Sequence, residues 1–193
     1  MKNPVKRKLK NGQKTIGGFL QTLSPVAAEI MSRSAFDWLI VDMEHAPGSY
    51  ENLQAQLQAM NGSGVVPFAR APWNDAVAIK KILDTGVLGV LVPYVNTREE
   101  AEAAVAACKY PPMGVRGVAG SPRAAGYTRN VLPYLTTANE ETVVMVAVET
   151  MDAVNNLDEI LQVEGLDGIF IGPVDLASSM GHLGDPSQPE VQK

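Results

Sequence analysis

The feature that most constrains this chain is a regular alternation of apolar runs of strand length with amphipathic stretches of helical length. The apolar runs are nearly continuous, which is typical of strands buried on both faces. They predict six strands, at Thr15–Leu20, Phe36–Val41, Val65–Ala69, Gly86–Val92, Thr142–Val148 and Gly168–Ile171. Helices are predicted between them, at Pro25–Arg33, Tyr50–Met60, Asp75–Leu83, Arg98–Cys108 and Ala153–Leu161. This order predicts an α/β fold with a parallel sheet.

The segment Tyr110–Asn139 interrupts the alternation. It is rich in Gly and Pro and has no clear period, so we interpret it as a long functional or disordered loop. No repeat or linker is evident elsewhere, and residues 1–193 are predicted to form a single domain. A closed (β/α)₈ TIM barrel has eight strand–helix units and typically about 250 residues. The prediction is therefore a barrel that is incomplete at its C-terminus, with the last two βα units absent.

Composition narrows the function classes. The formal net charge of −5 indicates no basic footprint for nucleic acid or an anionic membrane. The sequence has no run of about 20 apolar residues, which is the length needed to span a membrane. Cys108 is the only cysteine, so we expect no internal disulfide and take the cytoplasm as the default location. With only His45 and His182 as histidines, a structural zinc site is not expected.

Polar residues follow four of the predicted strands directly. These residues are Asp42-Met43-Glu44-His45, Arg70, Glu149 and Gly172-Pro173-Val174-Asp175. The strand Gly86–Val92 instead runs into Pro93 and offers no such group. Active sites of parallel barrels lie at the carboxyl ends of the strands. We therefore expect the four segments to converge on one rim.

Glu149 and Asp175 form the natural pair for a hard cation. Two carboxylates suit Mg²⁺ or Mn²⁺, which retain several waters, with Co²⁺ and Zn²⁺ as further candidates. Each carboxylate also has a structural alternative. Asp175 can act as the N-cap of a helix Leu176–Met180, and Glu149 can favour the first turn of its following helix.

His45 is the better candidate for a general base, because His182 falls in a Gly-rich turn. Asp42 and Glu44 can orient His45 or raise its pKa. Arg70 ends an apolar strand and needs either an anionic substrate or a salt bridge to Asp42 or Glu44.

Backbone N–H groups of the Gly172-Pro173-Val174 region can receive a carboxylate. Lysine is informative by its absence, since none ends a predicted strand and none lies between Lys109 and Lys193. A Schiff-base aldolase needs such a lysine, so a metal Lewis acid is the remaining way to stabilise an enolate.

At these residues the chain resembles the HpcH/HpaI aldolase family. The matching stretches keep their order and spacing along the chain, and they are Asp37–His45, Tyr110–Gly117, Val148–Thr150 and Gly172–Leu176. The resemblance implies a (β/α)₈ barrel, usually a hexamer in which the final helix swaps between neighbours. It also implies a small-molecule enzyme that reversibly cleaves a 2-oxo-4-hydroxy acid to pyruvate and an aldehyde, with a divalent ion.

The resemblance further implies residue roles. His45 matches the catalytic base, Asp84 the acid that raises its basicity, and Arg70 the group that stabilises the enolate. Glu149 and Asp175 match the metal ligands. The backbone N–H groups of Val174 and Asp175 match contacts to the pyruvate carboxylate.

One position departs from the family pattern. Family members commonly carry Gln two residues before the metal-binding Glu, where this chain has Ala147. This departure makes substrate placement less certain, and two alternatives to the aldolase stay open. One is a lyase of the same fold that acts on a malyl- or citramalyl-type thioester, although no basic cluster suits coenzyme A phosphates. The other is a catalytically silent metal-binding or assembly protein.

Overall fold

The structure is a computed structural model that describes residues 2–193, and its centre is one parallel sheet in which each strand pairs with the next along the chain. The strands are β1 (Gly17–Leu20), β2 (Trp38–Asp42), β3 (Val66–Arg70), β4 (Gly89–Val92), β5 (Val143–Val148) and β6 (Gly168–Ile171). The helices are α1 (Pro4–Lys10), α2 (Pro25–Ser32), α3 (Tyr50–Ala59), α4 (Ala76–Asp84), α5 (Arg98–Cys108), α6 (Val131–Glu141), α7 (Met151–Asn155), α8 (Leu157–Ile160) and α9 (Pro173–Ser179). The predicted parallel α/β fold is confirmed, with every strand boundary within three residues.

The sheet curls into a half-barrel. Phe19 of β1 and Phe170 of β6 belong to the two outermost strands of the sheet order, yet their ring centroids are only 5.7 Å apart. On the concave face, Ile40, Phe68 and Leu91 form an apolar cluster that includes these rings. A separate and larger cluster joins the convex face to the surrounding helices. Both faces of the strands are therefore buried, as the unbroken apolar runs predict.

Glycines on the concave face make room for aromatic rings. Trp38 and Phe68 stack at 5.6 Å between ring centroids. A Cβ at Gly17 would lie 2.1 Å from the Trp38 ring, and a Cβ at Gly89 would lie 2.6 Å from the Phe68 ring. Any larger residue at either position would displace the stacked pair.

The structure corrects two predicted elements and adds a helix that was not predicted. The predicted loop Tyr110–Asn139 contains most of α6 and a 3₁₀ turn at Arg123–Ala125. The predicted helix Ala153–Leu161 is two short helices, α7 and α8, that meet at Asn156. The basic N-terminal segment, for which no helix is predicted, forms α1.

Helix α1 packs against the amino end of the sheet. Its Val5 is buried in the concave cluster. The Lys6 ammonium donates to the carbonyl of Thr142 at 2.7 Å and pairs with Asp167 at 2.9 Å. These contacts cover the end of the half-barrel opposite the predicted site. Among residues 2–193, no helix has the length and apolar content needed to cross a membrane.

Candidate active site

The site is an extension of the concave face beyond the carboxyl ends of the strands. Side chains alternate between the two faces of a strand, so the residue two positions after a concave residue is also concave. Asp42 follows Ile40 by two positions, and Arg70 follows Phe68 in the same way. Asp42 and Arg70 are also cross-strand neighbours in the β2–β3 pairing. The fold therefore places polar groups at the open end of the apolar cluster.

Arg70 is held by two carboxylates. Its Nε and Nη2 atoms donate to Asp42 at 2.8 and 2.6 Å, and Nη1 lies 3.1 Å from Glu44 Oε2. The guanidinium also lies over the Phe19 ring, 5.2 Å from its centroid. The salt bridges predicted as the structural alternative for Arg70 are thus present to both acids. They do not exclude an anionic substrate, because the guanidinium lies at the site rim.

Asp42 is fully buried and stays ionised. Burial alone would raise its pKa, but hydrogen bonds from Arg70 and Gln21 outweigh that effect and lower the pKa to about 2. Its Oδ1 also accepts the backbone N–H of Glu44 at 3.1 Å and that of His45 at 3.4 Å. Asp42 therefore fixes the turn that presents Glu44 and His45.

His45 has an accessible ring. Its side chain is 58% exposed, and Nε2 lies 3.8 Å from Glu44 Oε2. The same Glu44 oxygen faces Arg70, so Glu44 lies between the arginine and the imidazole. Burial raises the pKa of Glu44 in spite of these two neighbours. Of the two acids expected to orient His45, Glu44 contacts the ring and Asp42 binds the backbone.

Glu149 is a buried carboxylate without a basic partner in the part of the chain described. Only 2% of the residue is exposed, and Oε1 accepts the backbone N–H of Tyr94 at 2.7 Å. A Cβ at Gly172 would lie 2.6 Å from Oε2, so glycine is needed for the carboxylate to lie there. Burial raises the pKa of Glu149, and the nearby charge of Asp175 raises it further. The first-turn alternative fails, because Thr150 caps α7 and Glu149 precedes that cap.

Asp175 lies in the first turn of α9. The helix begins at Pro173, so the alternative in which Asp175 caps a helix at Leu176 is wrong. No side chain caps this N-terminus at Gly172. The N–H groups of Val174 and Asp175 belong to the first turn, whose donors have no partner within a helix. They are therefore free to bind an external acceptor.

Asp84 does not lie beside His45 in this structure. It is the last residue of α4, and its carboxylate accepts from Arg116 Nη2 at 2.8 Å. Because α4 returns the chain from the carboxyl end of β3 to the amino end of β4, Asp84 is at the opposite end of the sheet from His45. Asp84 and His45 therefore make no contact within the described chain, where Glu44 is the carboxylate beside the imidazole, and the role of Asp84 stays a prediction.

The buried lysines lie away from the site. Lys109 Nζ donates to the carbonyls of Asn139 and Thr142, at the amino end of β5. Lys6 donates to the same Thr142 carbonyl. Among residues 2–193, no lysine forms a hydrogen bond or a salt bridge with His45, Arg70 or Glu149.

The residues fit a divalent cation. Asp42, Glu44, Glu149 and Asp175 bring four carboxylates to the rim against one guanidinium, that of Arg70. Since Arg70 pairs with Asp42 and Glu44, Glu149 and Asp175 form no salt bridge with any basic side chain in the described part of the chain. Oxygen donors of this kind suit Mg²⁺ or Mn²⁺, which need few protein ligands. Within residues 2–193, no group of three or more His, Cys, Asp or Glu side chains forms a ready-made metal cage.

Sequence reasoning missed one participant. The Tyr94 backbone N–H follows β4, the strand for which no polar group was predicted. A main-chain donor leaves no signal in residue type. In the structure, Tyr94 has a left-handed backbone with φ of +56°, which is uncommon for tyrosine.

Comparisons with known proteins identify the family of this chain. The model of the HpcH/HpaI aldolase/citrate lyase family matches residues 15–193. A protein from Escherichia coli named 4-hydroxy-2-oxo-heptane-1,7-dioate aldolase is 44% identical over 192 residues, which are 100% of this chain and 73% of that protein.

Solved structures extend the comparison. A family member from Burkholderia cenocepacia J2315 superposes with a TM-score of 0.94 and 36% identity, over 98% of this chain and 76% of that one. The citrate synthase SbnG gives a TM-score of 0.86 and 30% identity, over 97% of this chain and 73% of that one. The chain belongs to the HpcH/HpaI aldolase/citrate lyase family.

Proposed function

We propose that this protein is a metal-dependent aldolase that reversibly cleaves a 4-hydroxy-2-oxo acid to pyruvate and an aldehyde. The observation that carries the proposal is the buried Glu149 carboxylate, which has no basic partner among residues 2–193 and lies near Asp175. The name of the 44% identical relative supports the same reaction class.

Glu149 and Asp175 would hold the ion, with Mg²⁺ or Mn²⁺ as the expected metals and Co²⁺ or Zn²⁺ as substitutes. When bound, such an ion supplies Lewis-acid polarisation of the substrate keto group. The substrate carboxylate is assigned to the uncapped first turn of α9. There Gly172 and Pro173 set the backbone, and the N–H groups of Val174 and Asp175 donate.

His45 is the proposed proton carrier. In the cleavage direction its imidazole accepts the proton of the C4 hydroxyl as the C3–C4 bond breaks. Its exposed ring can reach a substrate at the rim, and Glu44 near Nε2 stabilises the imidazolium that forms. The positive charge of Arg70 stabilises the negative charge that develops on the pyruvate enolate. The His45 imidazolium then returns its proton to C3 of the enolate, which gives pyruvate and restores the neutral base. In the condensation direction the same groups act in reverse.

The proposed function also implies an architecture, a location and an oligomeric state for the whole protein. We propose a single-domain (β/α)₈ barrel with two further βα units beyond the half-barrel described, a cytoplasmic location and a homo-oligomer in the form of a hexamer. The chain spans 73% of the length of its Escherichia coli relative. The unpaired outer sides of β1 and β6 support additional strands.

Proton exchange at pyruvate tests the catalytic assignment. In D₂O with Mg²⁺ or Mn²⁺, the protein should exchange the methyl protons of pyruvate, as followed by NMR. It should also condense pyruvate with members of an aldehyde panel. His45→Ala should slow turnover by about 10²–10⁴-fold. Cleavage of a malyl- or citramalyl-type thioester without any pyruvate exchange would favour the lyase alternative instead. No exchange and no cleavage with any metal would favour a silent metal-binding protein.

A further inference from the structure

The loop that follows β4 holds one oxygen of Glu149. The Tyr94 N–H donates to Oε1 at 2.7 Å, while no residue among 2–193 donates to Oε2. A carboxylate fixed through one oxygen keeps the other in a defined direction. The direction of the Glu149 carboxylate therefore depends on where the backbone of Tyr94 lies.

That backbone is in an unfavourable conformation. Tyr94 has φ of +56°, in the left-handed region that is uncommon for a residue with a Cβ. Asn96, two residues on, donates its backbone N–H to Glu100 of α5 at 2.6 Å, and its side chain bonds the Thr150 hydroxyl. With the loop fixed at Asn96, a change of φ at Tyr94 would move its N–H away from Glu149. A contact with another residue must therefore hold Tyr94 in its left-handed conformation.

The ring of Tyr94 stacks on Trp73, with centroids 5.8 Å apart and planes 28° from parallel. Trp73 is 56% exposed and Tyr94 is 42% exposed, so neither ring fills the core. The Trp73 loop has its own anchor, because Asn74 Nδ2 donates to the Glu100 carbonyl at 2.9 Å. An anchored indole thus supports the tyrosine from a neighbouring loop.

We propose that the Trp73–Tyr94 stack is a positioning device that keeps Tyr94 left-handed and so aims the Glu149 carboxylate at the divalent ion. The inference rests on the proposed metal site. Trp73 and Tyr94 are positioning residues and act only through the Tyr94 N–H. An aromatic pair of this kind contributes enough to offset a large part of the cost of a left-handed tyrosine.

Mn²⁺ binding to the metal-free protein, followed by electron paramagnetic resonance, tests the device without an activity assay. Trp73→Ala should weaken Mn²⁺ binding about two- to tenfold, the range that corresponds to one aromatic pair. The double variant Trp73→Ala/Tyr94→Gly should return close to the wild-type affinity. Glycine adopts positive φ without a steric cost and keeps the N–H that Glu149 needs.

The rescue by glycine distinguishes positioning from simple packing, since the double variant has lost both rings. Tyr127→Ala is the matched control, because Tyr127 is also exposed and left-handed, with φ of +51°, but follows the 3₁₀ turn at Arg123–Ala125. It should bind Mn²⁺ as the wild type does. Thermal unfolding of each variant identifies any loss that comes from misfolding, and Trp73→Phe, which keeps a ring, should then give the intermediate affinity.

Glu149→Gln separates the two ways in which the inference can fail. If Glu149→Gln binds Mn²⁺ as the wild type does, the metal site and the inference that rests on it are both wrong. If Glu149→Gln loses binding while Trp73→Ala keeps it, only the positioning role is wrong. A weakened Trp73→Ala that Tyr94→Gly fails to restore would also overturn the positioning role.

Discussion

At the scale of single residues, the site contains two buried carboxylates whose pKa values are shifted in opposite directions. Asp42 receives the Arg70 guanidinium, and its pKa falls to about 2. Glu149 receives only a backbone N–H, and burial raises its pKa. One carboxylate therefore completes the structure of the rim, while the other is left with a charge that an external cation can neutralise.

Arg70→Ala should damage stability as well as turnover. Removing Arg70 leaves Asp42 and Glu44 buried without their cation, which typically costs about 3–5 kcal/mol of unfolding free energy near neutral pH. In the wild type the folded pKa of Asp42 is depressed, so its contribution is present above about pH 4 and is lost as pH falls toward 2. The difference between wild type and variant should therefore shrink over that interval.

Urea unfolding of both proteins at several pH values measures this difference. Gln21→Ala is the comparison variant, because Gln21 is a neutral donor to the same carboxylate, and its effect should be smaller. A difference between Arg70→Ala and wild type that stays constant from pH 7 to pH 2 would contradict the assigned ion pair.

Gly172→Ala should move the Glu149 carboxylate while leaving the fold intact. The added Cβ would lie 2.6 Å from Glu149 Oε2 and 2.8 Å from its Cβ, so the glutamate must shift. Gly172 has φ of −96°, so alanine brings no backbone strain. We expect divalent-ion affinity to fall about tenfold or more, since a misplaced ligand group loses most of its binding energy.

Gly168→Ala, at the first residue of β6, is the control. A Cβ at Gly168 meets nothing within 4 Å, and its backbone is not left-handed. Isothermal titration with Mn²⁺ should show wild-type affinity for Gly168→Ala. Equal affinities of the two alanine variants would show that Glu149 is not the ligand.

At the scale of elements, the apolar runs predicted all six strands, because burial on both faces leaves a clear record in residue type. The rim residues were predictable for the same reason, since each follows an apolar run.

Helix α6 was missed because Asn130 makes no side-chain cap and Pro133 lies within its first turn. The segment therefore shows turn residues where the structure has a helix. The role of Asp84 rests on the family resemblance alone; within the described chain its carboxylate binds Arg116, and its role at His45 stays a prediction.

Helix α1 was missed although Asn3-Pro4 is a good start signal, because its seven residues, about two turns, offer little apolar periodicity. Asn3 is fully buried. It caps the helix through Lys6 N at 3.1 Å, and its amide donates to the carbonyls of Leu88 and Glu141, each at 2.9 Å. Asn3→Ala should therefore lower the unfolding free energy by about 2–3 kcal/mol.

Urea titration of Asn3→Ala beside Lys2→Ala checks this role of α1. Lys2 is exposed and adjacent, so its replacement should change stability by less than about 0.5 kcal/mol. Equal losses in the two variants would mean that α1 does not hold the amino end of the sheet.

At the scale of the whole molecule, the half-barrel has two outer strands with unpaired edges. Ile16, beside β1, is 65% exposed, and Ile171 of β6 is 60% exposed. Apolar edge strands recruit other chains. A protein of residues 1–193 should therefore self-associate in a concentration-dependent way. Ile16→Lys and Ile171→Lys should each reduce that association, with little change in the unfolding temperature.

Sedimentation velocity over a range of concentrations measures the association. Leu183→Lys is the matched control, since Leu183 is 87% exposed but lies outside the strands. The sheet edges would not be the contact if Leu183→Lys reduced association to the same degree. A monodisperse wild-type monomer would show the same.

The central claim is that Glu149 and Asp175 bind the divalent ion on which aldol cleavage depends. The most direct measurement is pyruvate release from a 4-hydroxy-2-oxo acid, before EDTA treatment, after it, and after re-addition of Mg²⁺ or Mn²⁺. Wild-type activity should disappear with EDTA and return with the metal. Glu149→Gln and Asp175→Asn should stay inactive throughout while retaining a folded circular-dichroism spectrum. EDTA-resistant activity in the wild type or in either variant, or a lysine adduct trapped by borohydride with pyruvate, would contradict the claim.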